Sequence, residues 1–191
     1  MIGWEQYYKE RSLSMERYIN NMWEHKPLLI EVASSGRNIL EVGTGTGNLS
    51  IFLSHLGYNV VSVDNNDDVL KMAQHNNANF KGGVTFKKAD AFNLPFDDDS
   101  FDVCFSQGFF EHFADDDIRK LLREQLQVSR KVLFSVPSLW YPRQDFGDER
   151  LMKKEDWLRI LSEFKLEKAS YYGIRKSSEE KPSQVYFKVI K

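Results

Sequence analysis

Residues 39–47 read ILEVGTGTG, and the rest of the chain is best interpreted from this stretch. A short apolar run leads to Glu41, and then Gly43, Gly45 and Gly47 occupy every second position. The apolar residues that follow recur at helical spacing. The pattern predicts a strand, a tight glycine turn and a helix. Because glycine adopts positive φ and leaves the main chain bare, the turn offers a surface for a ligand that faces the free amides of the helix start.

Composition and charge narrow the class of protein. A length of 191 residues suits one domain with a sizeable core, and 41% hydrophobic with 28% charged residues is typical of a soluble globular chain. The net charge of -2 and the pI of about 6.1 provide no basic surplus for nucleic acid. No apolar run approaches membrane-spanning length, and the N-terminus lacks a secretory pattern. The single cysteine, Cys104, is expected to be buried, and the protein to be cytoplasmic.

Strands and helices alternate after the glycine turn, which predicts an α/β fold with a largely parallel sheet. Further strands are expected at 58–63, 84–89, 101–106 and 131–136. No helix is predicted between the last two strands, 166–172 and 185–190, so these should pair antiparallel. We expect a single domain. Its predicted parts are a helical N-terminal cap at 1–36, a ligand-binding core at 37–137, and a substrate loop, helix and terminal β-hairpin at 138–191.

Polar residues stand where four of the predicted strands end, namely Glu41, Asp64, Asp90 and the pair 106–107. An Asp after a strand is also a common helix cap, but four such ends together favour a ligand site at the carboxyl edge of the sheet. Asp64, about twenty residues beyond the turn, suits a ribose diol. The G-x-G-x-G spacing differs from the dinucleotide fingerprint G-x-G-x-x-G, and acidic Glu41 disfavours a pyrophosphate. The pocket therefore suits an adenosine that carries an amine and a sulfonium.

The segment Ile39–Ser50, together with Asp64, Asp90-Ala91 and 101–113, resembles the class I S-adenosylmethionine-dependent methyltransferases. The resemblance covers residues 37–137 well and is greatest to the small-molecule group that includes the quinone-biosynthesis C-methyltransferases. It implies a three-layer Rossmann-like sandwich. It also implies a seven-stranded sheet of order 3-2-1-4-5-7-6 with strand 7 antiparallel. The implied cofactor is S-adenosyl-L-methionine.

The resemblance also assigns cofactor-binding residues. They are Glu41, Gly43, Thr44, Gly45, Gly47, Asp64, Asn65, Asp90, Ala91 and Gln107. Glu41 and the glycine turn would hold the methionine end of the cofactor, the former through the ammonium or its water shell. Asp64 would bind the ribose hydroxyls, with Asn65 beside the adenine. Asp90 would accept a hydrogen bond from the adenine amino group, and the amide of Ala91 would reach a ring nitrogen. Gln107 would lie along the methionine portion of the cofactor.

Residues for catalysis and acceptor binding are less clearly marked. Methyl transfer from a sulfonium is an in-line displacement, so a base is needed only if the nucleophile is still protonated. His112, next to Glu111 after the fourth strand, is a candidate base, with packing under the next helix as the alternative. Trp140 and Tyr141 are candidates for an apolar substrate pocket, with simple packing as the alternative. Tyr8 is a candidate from the helical cap, where the aromatic residues either pack or form a lid.

The class of methyl acceptor is left open between several alternatives. Residues 106–110 read SQGFF and lack the Asn/Asp-Pro-Pro-aromatic motif of many amino-methylating enzymes of nucleic acids and proteins. With the acidic pI, this favours a small-molecule acceptor. We also expect a monomer or homodimer that binds neither metal nor nucleic acid. Arg143 or Arg150 either pairs with an acidic substrate or is solvated. The alternatives are methylation of protein or RNA, or a non-catalytic cofactor-binding partner, which solvent-exposed Trp4, Trp23 or Trp140 would favour. The glycine spacing disfavours a nicotinamide-dependent oxidoreductase.

Overall fold

A seven-stranded sheet runs through the computed structural model, which describes residues 13–142, 147–174 and 181–191. The strands are β1 Asn38–Val42, β2 Asn59–Asp64, β3 Thr85–Lys88, β4 Val103–Gln107, β5 Lys131–Pro137, β6 Lys165–Ile174 and β7 Pro182–Ile190. Neighbouring strands follow the order β3-β2-β1-β4-β5-β7-β6. The first five strands pair in parallel, and β7 is antiparallel to both β5 and β6. The predicted strand order and the antiparallel hairpin are confirmed.

Helices connect the parallel strands and precede the first of them. They are α1 Met15–Glu24, α2 Lys26–Ala33, α3 Asn48–His55, α4 Asp67–Asn79, α5 Asp115–Val128 and α6 Lys154–Ile160, with a 3₁₀ helix at Phe110–His112. Pro27 stands in the first turn of α2, where its missing amide proton costs nothing. Asn66 caps α4, because its side chain accepts hydrogen bonds from the amides of Asp68 and Val69 at 2.9 and 3.2 Å. Asn66 is therefore the N-cap of α4.

The helices cover the sheet on both faces, so the core has two halves. On one face α5 and α6 bury Phe134 and Trp157, whose ring centroids lie 5.7 Å apart. On the other face α1, α2 and α3 pack over Leu28, Ile51 and Phe105. Cys104 is free and fully buried, as expected. With apolar strands covered on both sides, ligand access is directed to the carboxyl edge of the sheet.

Some of the predicted residues fall outside the described ranges. Trp4 and Tyr8 lie in 1–12, and Arg143 lies in 143–146. Within the described part of the chain, none of the helices combines the length and the apolar character that crossing a membrane requires.

Candidate active site

The glycine turn after β1 has the left-handed backbone that its three glycines predict. Gly43, Gly45 and Gly47 have φ of 82°, 52° and 74°. The amide of Gly43 donates to the carbonyl of Val63 at 3.0 Å and thereby attaches the turn to β2. A Cβ at Gly43 would lie 2.8 Å from Cδ2 of Phe109, so a larger residue is excluded there. The turn therefore presents bare main chain at the edge of the sheet.

Glu41 is buried behind this turn and accepts hydrogen bonds from hydroxyl groups. It is 3% exposed, and its Oε2 accepts from Oγ of Ser50 at 2.5 Å and from Oγ of Ser62 at 2.8 Å. Ser62 also shares a hydrogen bond of 2.7 Å with Thr44 of the turn. Burial raises the pKa of Glu41 to about 7. The two serines act against this rise, whereas the charge of Asp64 adds to it. Glu41 is thus poised between its neutral and charged forms at neutral pH.

Asp64, at the end of β2, lies beside main-chain amides. Its Oδ1 accepts a hydrogen bond from the amide of Asn66 at 3.0 Å. The amides of Gly45, Asn65 and Thr44 also favour the charged form of the carboxyl group. Burial raises the pKa of Asp64 above its ordinary value, although these four amides act in the opposite direction. Two of the four amides belong to the glycine turn. The structure therefore brings Asp64 and the turn together, as the sequence predicted.

Asp90 follows the next strand along the same edge. The amide of Ala89 donates to the carbonyl of Asp64 at 3.0 Å, which places the end of β3 beside the end of β2. Oδ1 of Asp90 accepts from the amide of Phe92 at 2.9 Å, and the side chain is exposed. Ala91 is half-buried. The acidic residues predicted at strand ends thus lie in the last two positions of β1 and β2 and two residues beyond β3, which are adjacent strands.

The segment after β4 lies against the other side of the turn. Gln107 is half-buried at the end of β4, and the amide of Gly108 donates to the carbonyl of Ser135 at 2.9 Å. The ring of Phe109 comes within contact distance of Gly43, as noted above. Residues 107–109 therefore border the site beside the glycine turn.

In the 3₁₀ helix Phe110–His112, the side chains of Glu111 and His112 are adjacent in sequence but have different surroundings. Nδ1 of His112 lies 2.5 Å from Oδ1 of Asp148, and the His112 side chain is 12% exposed. Glu111 is 2% exposed, and its Oε2 has no hydrogen-bond partner among the described residues. Burial raises the pKa of Glu111 to about 8, and the charges of Glu149 and Asp148 contribute to this rise. The candidate base His112 therefore has a carboxylate partner, whereas Glu111 has none.

A buried hydrogen-bonded chain that the sequence did not predict lies beyond the end of β4. Oη of Tyr172 is 2.9 Å from Nδ1 of His25 and 2.6 Å from Oγ of Ser135, which pairs in register with Gln107. Burial raises the pKa of Tyr172. This series of hydrogen bonds joins the junction between α1 and α2 to β6 and β5. Its members lie up to 147 residues apart, and no local motif marks them.

The remaining substrate candidates make packing contacts. The Trp140 ring lies 5.4 Å from the ring of Tyr171, and its amide donates to Oγ of Ser138 at 3.1 Å. The amide of Tyr141 donates to the carbonyl of Ser138 at 3.0 Å. These contacts agree with the packing alternative and do not test a substrate role. Tyr8 lies outside the described residues.

Arg150 is engaged within the protein. Its guanidinium donates to the carbonyl of Phe113 at 2.7 Å and to Oδ1 of Asp115 at 2.6 Å. Arg150 therefore forms an ion pair within the protein, whereas one alternative from the sequence was a solvated side chain. In the ranges that the structure describes, no group of three or more His, Cys, Asp or Glu side chains is arranged to hold a metal ion.

Comparison with known proteins identifies the family of this fold and site. Residues 39–131 match a family model described as a methyltransferase domain, and that segment contains the glycine turn and every strand-end residue discussed above. Residues 39–131 therefore form a methyltransferase domain, which the resemblance assigned to the class I S-adenosylmethionine-dependent type. The resemblance stated from the sequence is confirmed.

The matches to individual curated relatives extend over only part of each relative's length. The ubiquinone/menaquinone biosynthesis C-methyltransferase UbiE of Pseudomonas paraeruginosa is 32% identical over 130 residues, which are 63% of this chain and 50% of that protein. The eEF1A lysine and N-terminal methyltransferase of Bos taurus is 26% identical over 122 residues, 63% of this chain and 18% of that protein. The chain thus spans half or less of the length of these two curated relatives.

A solved structure matches over almost the whole chain. Magnesium protoporphyrin IX methyltransferase (ChlM) from Synechocystis PCC 6803, with bound SAH, has a TM-score of 0.66 at 15% identity. The match covers 94% of this chain and 88% of that one, and it confirms the fold.

S-adenosylmethionine is the cofactor of this family, and the residues present fit it. Gly43, Gly45 and Gly47 carry no side chains and have positive φ, so a ligand can approach the main chain of the turn closely. The ends of β1, β2 and β3 carry carboxyl groups, which suit a cationic adenosyl compound better than a pyrophosphate.

Proposed function

We propose that this chain transfers the methyl group of S-adenosylmethionine to a small-molecule acceptor by in-line displacement. The observation that carries the proposal is the position of Asp64 beside the glycine turn, where the amides of Thr44 and Gly45 favour its charged form. This contact fixes a carboxylate beside bare main chain at the carboxyl edge of a parallel sheet, where α/β proteins bind nucleoside ligands. The second carboxyl group, Glu41, lies behind the same turn and is electrostatically coupled to Asp64.

The proposed roles follow from this geometry. Asp64 accepts hydrogen bonds from the ribose hydroxyls, and the amide of Asn66, which donates to its Oδ1 at 3.0 Å, keeps it in position. Glu41 and the turn receive the methionine end, whose positive charge favours the ionised form of a carboxyl with a pKa near 7. Asp90 and the amide of Ala91 recognise the adenine. Gln107 lies along the methionine portion.

The protein contributes alignment and exclusion of water, whereas the bound cofactor supplies the electrophilic methyl group. Phe109, packed against Gly43, closes the turn on the side of β4. Phe105 and Phe110, on either side of this segment in the sequence, are fully buried in the core. A dry site strengthens each charge interaction in it.

Several observations support a small-molecule acceptor. The chain lacks the planar-nitrogen motif after β4, and its pI is about 6.1. The UbiE and ChlM proteins are named for small-molecule pathways. The bovine relative is named for action on a protein, so a protein acceptor is the competing proposal. We propose a cytoplasmic monomer or homodimer.

The proposal is tested first at the cofactor site. Isothermal calorimetry with S-adenosylmethionine and S-adenosylhomocysteine is expected to show binding, and Asp64→Ala to weaken it by about 1–3 kcal/mol through loss of charge-assisted hydrogen bonds. Asp68→Ala is the matched control, because Asp68 is an exposed carboxylate that pairs with Lys71. Absence of binding at millimolar cofactor, or equal losses in the two variants, would contradict the proposal.

The acceptor class needs a second experiment. Wild-type protein with methyl-labelled cofactor is incubated with a small-molecule extract and, separately, with a protein fraction and an RNA fraction. We expect label in the small-molecule extract only. Label found only in the protein or RNA fraction would contradict a small-molecule acceptor and identify a macromolecular one, while the cofactor assignment would stand.

A second candidate function is a cofactor-binding partner of another protein. One face of α1 exposes Met15, Ile19 and Trp23, which are 61%, 58% and 76% exposed and recur every four residues. A stripe of this kind marks an interaction surface more often than a free surface. This candidate predicts cofactor binding without label transfer to any fraction by the isolated chain.

A further inference from the structure

Asn76 is a buried polar residue on the face of α4 that lies against the glycine turn. The buried residues of this helix are Val69, Leu70, Ala73 and Asn76, so the last of them brings a polar side chain to an otherwise apolar stripe. Asn76 is 6% exposed, and its Nδ2 donates a hydrogen bond to the main-chain carbonyl of Thr46 at 3.0 Å. Buried side-chain amides are stable where they satisfy a specific polar group. The group that Asn76 satisfies belongs to the proposed cofactor site.

Thr46 lies between two glycines, where the backbone has little conformational preference of its own. Gly45 and Gly47 have φ of 52° and 74°, and glycine reaches both signs of φ at similar cost. Gly47 is the N-cap of α3, and its carbonyl accepts from the amide of Ile51 at 2.9 Å. The carbonyl of Thr46 therefore precedes the hydrogen-bond ladder of the helix, and its orientation depends on a partner from another element.

Both polar atoms of the peptide group between Thr46 and Gly47 are engaged. The amide of Gly47 donates to the carbonyl of Thr44 at 2.9 Å, and the carbonyl of Thr46 accepts from Asn76. The same helix face also packs against the turn, because a Cβ at Gly47 would lie 3.3 Å from Cβ of Ala73. Without the Asn76 amide, the carbonyl would face an apolar helix surface with no donor, which favours rotation of the peptide group.

The helix that holds the turn also holds the carboxylate proposed to bind the ribose. Asn66 is the N-cap of α4, and its main-chain amide donates to Oδ1 of Asp64 at 3.0 Å. Asn66 and Asn76 are separated by about 15 Å along the helix axis, at 1.5 Å per residue. The helix α4 therefore contacts the ribose-binding group at its start and the glycine turn near its end, so it fixes the spacing between these two parts of the site.

Resting on the proposed function, we propose that Asn76 is a positioning residue for the cofactor, which selects the orientation of the Thr46–Gly47 peptide that receives S-adenosylmethionine. The entropy cost of ordering a glycine-rich turn is then met during folding and not during binding. Without the side-chain amide the turn would populate several orientations. The apparent affinity would fall with the fraction of molecules that keep the competent one. Asn76 acts through the turn and does not need to reach the cofactor.

Calorimetric titration with S-adenosylhomocysteine tests the proposal. Asn76→Ala should weaken binding about tenfold, which is the result expected if about one molecule in ten keeps the competent turn. Asn77→Ala is the matched control. Asn77 is the next residue of the same helix, and its Oδ1 accepts from the amide of Val84 at 3.3 Å, before the start of β3 and thus at the opposite edge of the sheet from the turn. The control should bind S-adenosylhomocysteine like the wild type.

Stability is measured separately from affinity. Each alanine variant removes one hydrogen bond to the main chain, so urea unfolding should show similar losses of stability for the two. Asn76→Leu is a second variant that keeps the test open if Asn76→Ala does not fold, because leucine refills the space and is a better helix former than asparagine. It also lacks the donor, so it should weaken S-adenosylhomocysteine as the alanine variant does.

Amide hydrogen exchange supplies a readout that a general loss of stability would not move. In the ligand-free protein, Asn76→Ala should speed exchange at the amide of Gly47 about tenfold more than at the amide of Gly43, which donates to the carbonyl of Val63. Saturation with S-adenosylhomocysteine should restore protection at Gly47, because the ligand selects the competent orientation.

Three results would overturn the inference while the cofactor site stands. They are wild-type affinity in the Asn76 variants, an equal weakening in Asn77→Ala, and exchange at Gly47 that rises no more than at Gly43. Failure of the wild type to bind S-adenosylhomocysteine would instead overturn the proposed function and this inference with it.

Discussion

The protonation of Glu41 should make the stability of the folded chain depend on pH in a direction opposite to that of most carboxylates. Burial raises its pKa from 4.5 to about 7, despite the hydroxyl groups of Ser50 and Ser62. Between pH 4.5 and 7 the folded state therefore holds a proton that the unfolded state has released. This stabilising contribution is complete below pH 4.5 and is lost as the pH rises through about 7.

The size of this effect follows from the two pKa values. The rise from 4.5 to about 7 corresponds to about 3 kcal/mol of unfolding free energy. Glu41→Gln removes the titration but keeps an oxygen that accepts from the two serines. The variant and the wild type should therefore be similar in stability near pH 4.5. Above pH 7 the variant should be relatively more stable by up to about 3 kcal/mol.

Urea unfolding of both proteins at half-unit steps from pH 4.5 to 8.5 provides the measurement. Glu111 titrates in the same window, with a pKa of about 8, but it contributes equally to both proteins and cancels in their difference. Glu155→Gln, at an exposed position of α6, serves as the control and should give a flat difference. A flat difference for Glu41→Gln as well would refute the reasoning, because it would mean that Glu41 is ionised throughout.

Two further predictions concern the backbone around the site. Gly43→Ala should destabilise the fold by about 1–3 kcal/mol more than Gly57→Ala does, as measured by urea unfolding. Both glycines have φ near 80°, but a Cβ at Gly57 meets open space, so the difference isolates the collision with Phe109. Equal losses would exclude that collision as the cause. Asn66→Ala should cost about 0.5–2 kcal/mol through loss of the α4 cap, whereas exposed Asn65→Ala should cost far less in the same assay.

Local patterns were sufficient to predict the core of the fold. The apolar runs and the glycine turn predicted β1 to β5 within about two residues of their ends, because each signal lies within a few neighbouring positions. The contact between Asp64 and the turn followed from the rule that parallel strands end at one edge. The insertion of β7 between β5 and β6 came from the family resemblance, since nothing in either strand's sequence specifies its neighbour.

Side-chain partners could not be predicted in the same way. Ser50 and Ser62 lie 9 and 21 residues from Glu41, and a serine carries no pattern that marks it as buried. Adjacent residues can also differ in burial: in the 3₁₀ helix Glu111 is enclosed, whereas His112 reaches Asp148 across 36 residues. Such choices depend on the tertiary packing of distant elements.

The position of β7 has a consequence for synthesis of the protein. In the finished sheet β7 lies between β5 and β6 and forms hydrogen bonds with both strands. Until residues 182–190 have left the ribosome, the edges of β5 and β6 that β7 later covers are therefore open, and β5 is apolar from Val132 to Phe134. Unpaired edges of this kind are sites of aggregation, so a chaperone that shields them during translation would act on β5 and β6 before β7 emerges.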